Sequence, residues 1–174
     1  SELCLGSAQI FLEKTSHALH QACTVPSDSV WFGLPMSEER SVRINGIPVH
    51  DGQIAVHKGG KCFELFTPDD LHFWGIVVKE DVLMTYARQF ECNAWLSDVL
   101  QHPVLDVNEE KKRAVQVSCS KILQRPRQAQ STTLSSPLRQ SISENTLSAL
   151  FSMFRDVAHV SVDHNSSQRR HRFV

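Results

Sequence analysis

Between Val30 and Asp70 the apolar residues come in short or alternating runs, Val30–Leu34, Ser41–Val49, Ile54–His57 and Cys62–Phe66, separated by Gly46, Asp51-Gly52 and Gly59-Gly60. That spacing predicts antiparallel strands on tight turns, because glycine supplies the positive φ such turns need and Asp51 tolerates it through local hydrogen bonding. Leu71–Val78 (LHFWGIVV), preceded by Pro68-Asp69-Asp70, adds a strand rich in aromatic and β-branched residues. Upstream, Gln9–Val25 reads as two strands around a Lys14–Ser16 turn; a helix over Ala18–Cys23 is disfavoured by Thr24, Val25 and Pro26. Seven or eight strands therefore precede residue 79, as a small β-barrel or a double-layered sheet.

The period then changes. Glu80 and Asp81 suit a helix N-terminus, and Val82, Leu83, Tyr86, Ala87 and Phe90 follow on one face. Asn93–Gln101 predicts a second helix stopped by Pro103. A third starts at an Asn108 N-cap, has Glu109 and Glu110 in its first turn, and turns Val115, Cys119, Ile122 and Leu123 inward. Gln124–Pro137 is a polar Ser/Thr/Gln-rich loop. The fourth helix, about Leu138–His159, is apolar over a wide arc that includes Leu147, Leu150, Phe151 and Phe154, so it must cover two surfaces: either its own sheet and a second copy of the chain, or two parts of one deep core. Val160–Ser167 reads as a connector, and a basic run, Arg169, Arg170 and Arg172, follows it.

Composition narrows the function classes. A chain of 174 residues is one domain by size and buries about 70% of its unfolded surface. With 18 basic and 19 acidic residues the net charge is -1, which gives no footprint for a polyanion. Five scattered cysteines without a CxxC pair argue against a disulfide framework or a zinc ribbon and for a reducing compartment. Neither a signal peptide nor an apolar span of membrane length is evident, so a cytoplasmic protein with no membrane partner is expected. Both ends look cut, the first without a Met and the last on QRRHRFV.

Nine histidines in a β-barrel invite a metal reading, and a metal-dependent cupin-type enzyme is one alternative. Its usual His-x-His pair is missing. His50, His57 and Glu64 fall seven apart, and His17 and His20 lie three apart on a strand, so surface or hydrogen-bonded histidines fit better and no metal or cofactor is expected. Nucleophile elbows and phosphate loops are absent too, which points away from catalysis. A small-molecule pocket inside the barrel is the leading use, with Trp31, Phe32, Arg43, Glu64, Phe66 and Trp74 as lining residues. Glu64 shares a face with Cys62 and Phe66 rather than with water-seeking neighbours, so it reads as a buried carboxylate that either pairs with an arginine or reads a cationic or hydroxylated ligand. A solid barrel acting as a ligand-free protein-interaction module is the other alternative.

Four stretches in order, VWFGLP (Val30–Pro35), INGIPVHDGQIAVHKGG (Ile44–Gly60), FELFTPDD (Phe63–Asp70) and GIVVKEDVL (Gly75–Leu83), resemble the N-terminal half of AraC/XylS-family transcription regulators, and look most like the regulators of ethanolamine utilisation. The resemblance implies an α+β fold: a cupin-like, jelly-roll-like antiparallel β-barrel sensor over residues 1–78, a helical dimerisation segment over 79–160, and at 161–174 a linker and the start of a helix-turn-helix DNA-binding domain. It further implies a homodimer that binds promoter DNA through that further domain and responds to an unidentified small-molecule effector. The Leu147, Leu150, Phe151 and Phe154 stripe would then form the dimer interface.

Overall fold

A computed structural model describes residues 1–36, 42–124 and 134–170, with 156–170 as backbone only. Most of the loop expected at 124–137, and residues 171–174, lie outside the described residues. Ten strands and four helices follow in the order β1 (Glu2–Cys4), β2 (Ala8–Thr15), β3 (Leu19–Thr24), β4 (Ser29–Pro35), β5 (Val42–Ile44), β6 (Ile47–Val49), β7 (Gln53–Lys58), β8 (Cys62–Thr67), β9 (Leu71–Lys79), α1 (Glu80–Gln89), α2 (Asn93–Gln101), β10 (Val104–Asp106), α3 (Glu109–Leu123) and α4 (Ser136–Arg170).

The expected barrel does not close. The strands form two antiparallel sheets, one of six strands in the order β1-β2-β9-β4-β7-β10 and one of four in the order β3-β8-β5-β6. β2 and β3 are consecutive yet belong to different sheets, so the backbone ladder is interrupted along that seam. The hairpins arise where turn chemistry dictates. Asn45 (φ 48°) and Gly46 (φ 79°) join β5 to β6, the two positive φ values of a type I′ connection.

β4 lies between β9 and β7 and is buried along its whole length, as a strand covered on both faces must be. The helices cover one face of the six-stranded sheet. Ile10, Val30, Phe32, Leu34, Trp74, Ile76 and Val78 pack there with Leu83, Ala87, Leu96, Val115, Cys119, Leu150 and Phe154. Each such large side chain contributes about 1.5–3 kcal/mol through burial. The other face meets the four-stranded sheet around Trp31, Val42, Ile44, Phe63, Leu65, Leu71 and Phe73. The result is a three-layered α+β arrangement: small sheet, large sheet, helices.

The limits of α1, α2 and α3 follow their sequence signals closely. Asn108 caps α3 by accepting a hydrogen bond from the Lys111 amide at 3.1 Å. In α1, Glu80 and Asp81 occupy the first turn and Arg88 the last, which complements the helix dipole. α4 continues to Arg170, through the span that reads as a connector in the sequence. No helix among the described residues is long and apolar enough to cross a membrane.

Candidate functional site

A cavity of about 320 Å³ lies between the sheets along the unclosed β2–β3 seam. Its apolar wall comes from Phe11, Val25, Trp31, Phe63, Leu65, Phe73 and Val77, and its polar rim from Gln9, Glu13, Gln21, Cys23 and Thr24. Pleat alternation makes this division on β2. Ala8, Ile10 and Leu12 point to the helix layer, while Gln9, Phe11 and Glu13 point to the cavity.

The aromatic wall is a packed group. Trp31 stacks on Phe73 with ring centroids 5.6 Å apart and meets Phe63 at 4.9 Å in a tilted contact. Trp31 and Phe73 lie over Gly33, and Phe11 lies over Gly75, two glycines that face each other across β4 and β9. A Cβ at Gly33 would collide with the rings of Phe73 and Trp31, and one at Gly75 with the ring of Phe11. The glycine pair is thus a shelf cut to the thickness of an aromatic ring.

Across the seam, Gln21 Nε2 donates to Glu13 Oε1 at 2.8 Å, a side-chain bond where backbone pairing is missing. Cys23 lies beside them. Burial, and secondarily the Glu13 carboxylate, push its thiol above the ordinary value. Among the described residues lining the cavity, Glu13 is the single charged group.

Of the six lining residues expected from sequence, only Trp31 lines this cavity. Phe32, the next residue, points the opposite way and packs on Phe154 of α4 at 5.2 Å. Trp74 is likewise on the helix side, buried, with no hydrogen-bond partner for its Nε1 among the described residues. Cys62, Glu64 and Phe66 do share a face, but it is the solvent face of the small sheet; Phe63, Leu65 and Thr67 point inward instead. Glu64 is therefore no buried carboxylate. It lies 3.5 Å from His20 Nε2 with both side chains about two-thirds exposed (64% and 68%), a pair worth little in water. Arg43 is exposed on the same outer face, directly across from Phe66.

The expected dimer stripe is also placed differently. Leu147, Leu150, Phe151 and Phe154 are all buried in the chain's own core against the six-stranded sheet and the other helices, which is the single-core alternative for that wide apolar arc.

Sequence reasoning did not single out Glu13, Gln21 and Cys23. Their signal is present in hindsight: Gln9, Phe11 and Glu13 make a polar stripe containing one aromatic, opposite a wholly apolar one.

Among the described residues the histidines do not converge. His57 meets Phe63 in a tilted contact with ring centroids 4.4 Å apart and approaches the Lys61 carbonyl at 3.1 Å, while His50 and Glu64 are exposed elsewhere. No group of three or more His, Cys, Asp or Glu among the described residues is arranged to hold a metal ion. A second polar contact buries Lys112 of α3 against Asp51 Oδ1 at 3.4 Å, tying that helix to the β6–β7 turn. Burial pulls the Lys112 pKa down, and Asp51 offsets this in part.

No family model matches the chain. Among solved structures it is similar to apo ToxT K231A from Vibrio cholerae strain SCE256, with a TM-score of 0.53 at 10% identity over 84% of this chain and 55% of that one. ToxT from Vibrio cholerae in a P21 crystal form gives a TM-score of 0.43 at 11% identity over 80% of this chain and 54% of that one. The chain spans about half the length of the ToxT chains it matches. ToxT is an AraC-family transcription regulator, and the likeness to its K231A form is one of fold: sheets and helices in an arrangement that such a regulator carries.

Proposed function

We propose that this chain is the effector-sensing part of an AraC-type transcription regulator and has no catalytic activity of its own. The observation that carries this is the cavity between the sheets, about 320 Å³ with an aromatic wall and a short polar rim, the composition of a small-ligand site. The fold likeness to ToxT and the order of the four sequence stretches support the family; the finer resemblance to regulators of ethanolamine utilisation rests on sequence alone.

In this proposal residues 1–78 hold the effector, residues 79–160 relay its presence, and residues 161–174 lead into a helix-turn-helix domain that contacts promoter DNA. β4 is the relay. It presents Trp31 to the cavity and, one residue on, Phe32 to Phe154 of α4, so a ligand that shifts the Trp31 ring biases the seating of α4. Only a difference in affinity between the two seatings drives such a shift. Homodimer formation belongs to the same proposal, but through a surface other than the buried face of α4.

Thermal unfolding of the chain against a panel of small metabolites tests the reading. A true effector at one hundred times its Kd adds about 2.7 kcal/mol, which raises Tm by roughly 5–10 °C for a chain of this size. The same compound should change promoter binding by the protein that carries the DNA-binding domain. If no small molecule raises Tm, the sensing role falls.

A further inference from the structure

The cavity lining restricts the class of ligand, on the reading that this cavity is an effector site. Its wall is apolar and aromatic and its polar groups are confined to the rim, so a sugar or other densely hydroxylated molecule would leave the hydroxyls that face the wall without partners. Its volume, about 320 Å³, lies at the small end of the range for ligand pockets, which suits one ring and a short chain. Its charge is of one sign. Glu13 supplies a carboxylate, and no Lys, Arg or His is among the described residues that line the cavity. An anionic ligand would bring a like charge into a site with nothing to neutralise it.

Gln21 fixes where a cation would sit. Its amide donates to Glu13 Oε1 at 2.8 Å, using one of about four acceptor positions that a carboxylate offers. The bond also ties the carboxylate of β2 to β3, so both sheets frame the same spot. Trp31, Phe63 and Phe73 contribute ring faces to the same cavity, and such faces attract a cation as well as an apolar ring.

We infer that the cavity selects a small arylalkylamine-type cation, its ring against the wall of Trp31, Phe63 and Phe73 and its ammonium group at the Glu13–Gln21 pair. Occupancy closes the β2–β3 seam from both sides, because the ammonium bonds to a carboxylate already held by the opposite sheet.

The test is a matched series: 2-phenylethylamine, its neutral isostere 2-phenylethanol, and phenylacetate, each titrated into the chain at neutral pH by calorimetry. The amine should bind about tenfold tighter than the alcohol, because the attraction between the ammonium and the Glu13 carboxylate adds to a hydrogen bond that a hydroxyl can also make, and the acid weakest of the three. Glu13→Gln should erase the amine's advantage over the alcohol. The wild-type series decides the charge preference even if the variant fails to fold. Equal or tighter binding of the alcohol or the acid overturns the inference and leaves the effector site standing, as does a retained preference in a folded Glu13→Gln. If none of the three binds while another metabolite raises Tm, the inference is overturned and the site remains. If nothing in either set binds, the effector-site reading and this inference fall together.

Discussion

On the helix side of the six-stranded sheet, Ile10, Phe32, Leu34 and Ile76 reach complete burial against Leu83, Leu96, Leu150 and Phe154. On the opposite side, Trp31 and Phe73 share their space with half-exposed Gln9, Glu13 and Gln21 and with a cavity. The same strands serve both. One position in β4 separates Phe32, a core ring, from Trp31, a cavity ring. The contrast teaches that the pleat divides labour: one face supplies stability, the other supplies room and chemistry. Substitutions on the first should therefore move folding, and those on the second should move binding.

The sharpest way to break this division is a charge on the helix side. Leu147→Glu should cost roughly 4–5 kcal/mol or more in urea unfolding, because a carboxylate would enter a core that offers it no designed partner. A variant that stays fully folded and merely changes a dimer into a monomer would make that face an interface instead. Next, Phe154→Ala should cost about 3–5 kcal/mol and also disconnect the effector from promoter binding, since it removes the ring that Phe32 meets. Stability lost without any change in effector response would remove β4 as the relay.

Substitutions on the cavity side should be gentler to the fold and harsher to the site. Gly33→Ala should cost about 1–3 kcal/mol as an overpacking change and drive the Trp31 and Phe73 rings into the cavity, abolishing ligand-induced stabilisation. Glu13→Gln should alter stability by no more than about 0.5 kcal/mol, as expected of a half-exposed side chain. Its effect is electrostatic and local. Both burial and the Glu13 charge disfavour the Cys23 thiolate, so the midpoint of Cys23 alkylation against pH should lie above that of an ordinary exposed thiol and move down in Glu13→Gln. A midpoint that does not move would mean that burial alone sets it.

Much of the local structure was legible in the residues themselves. The limits of α2, the Asn108 cap, the acidic first turn of α1 and the β5–β6 turn all depend on neighbours within a few positions, and the chain states them directly. The short strand β10 was not legible. Only its pairing with β7 makes Val104–Asp106 a strand.

Which way a strand's side chains point was a different matter. In β8 a strict alternation exists, but Cys62, Glu64 and Phe66 on one phase and Phe63, Leu65 and Thr67 on the other both contain an aromatic, so the pattern alone favours neither. In β4 every residue is buried and there is no polar phase to read. A single-residue shift of phase moves every side chain to the other face. That is why the sequence by itself determined most strands, their turns, the limits of α1 to α3 and the broad α+β arrangement, whereas only the tertiary structure decided that the barrel stays open at β2–β3, that Glu13 rather than Glu64 meets the cavity, and that the apolar face of α4 is spent on the chain's own core. Local signals act along the backbone; the facing of a doubly covered strand is set by what packs across it.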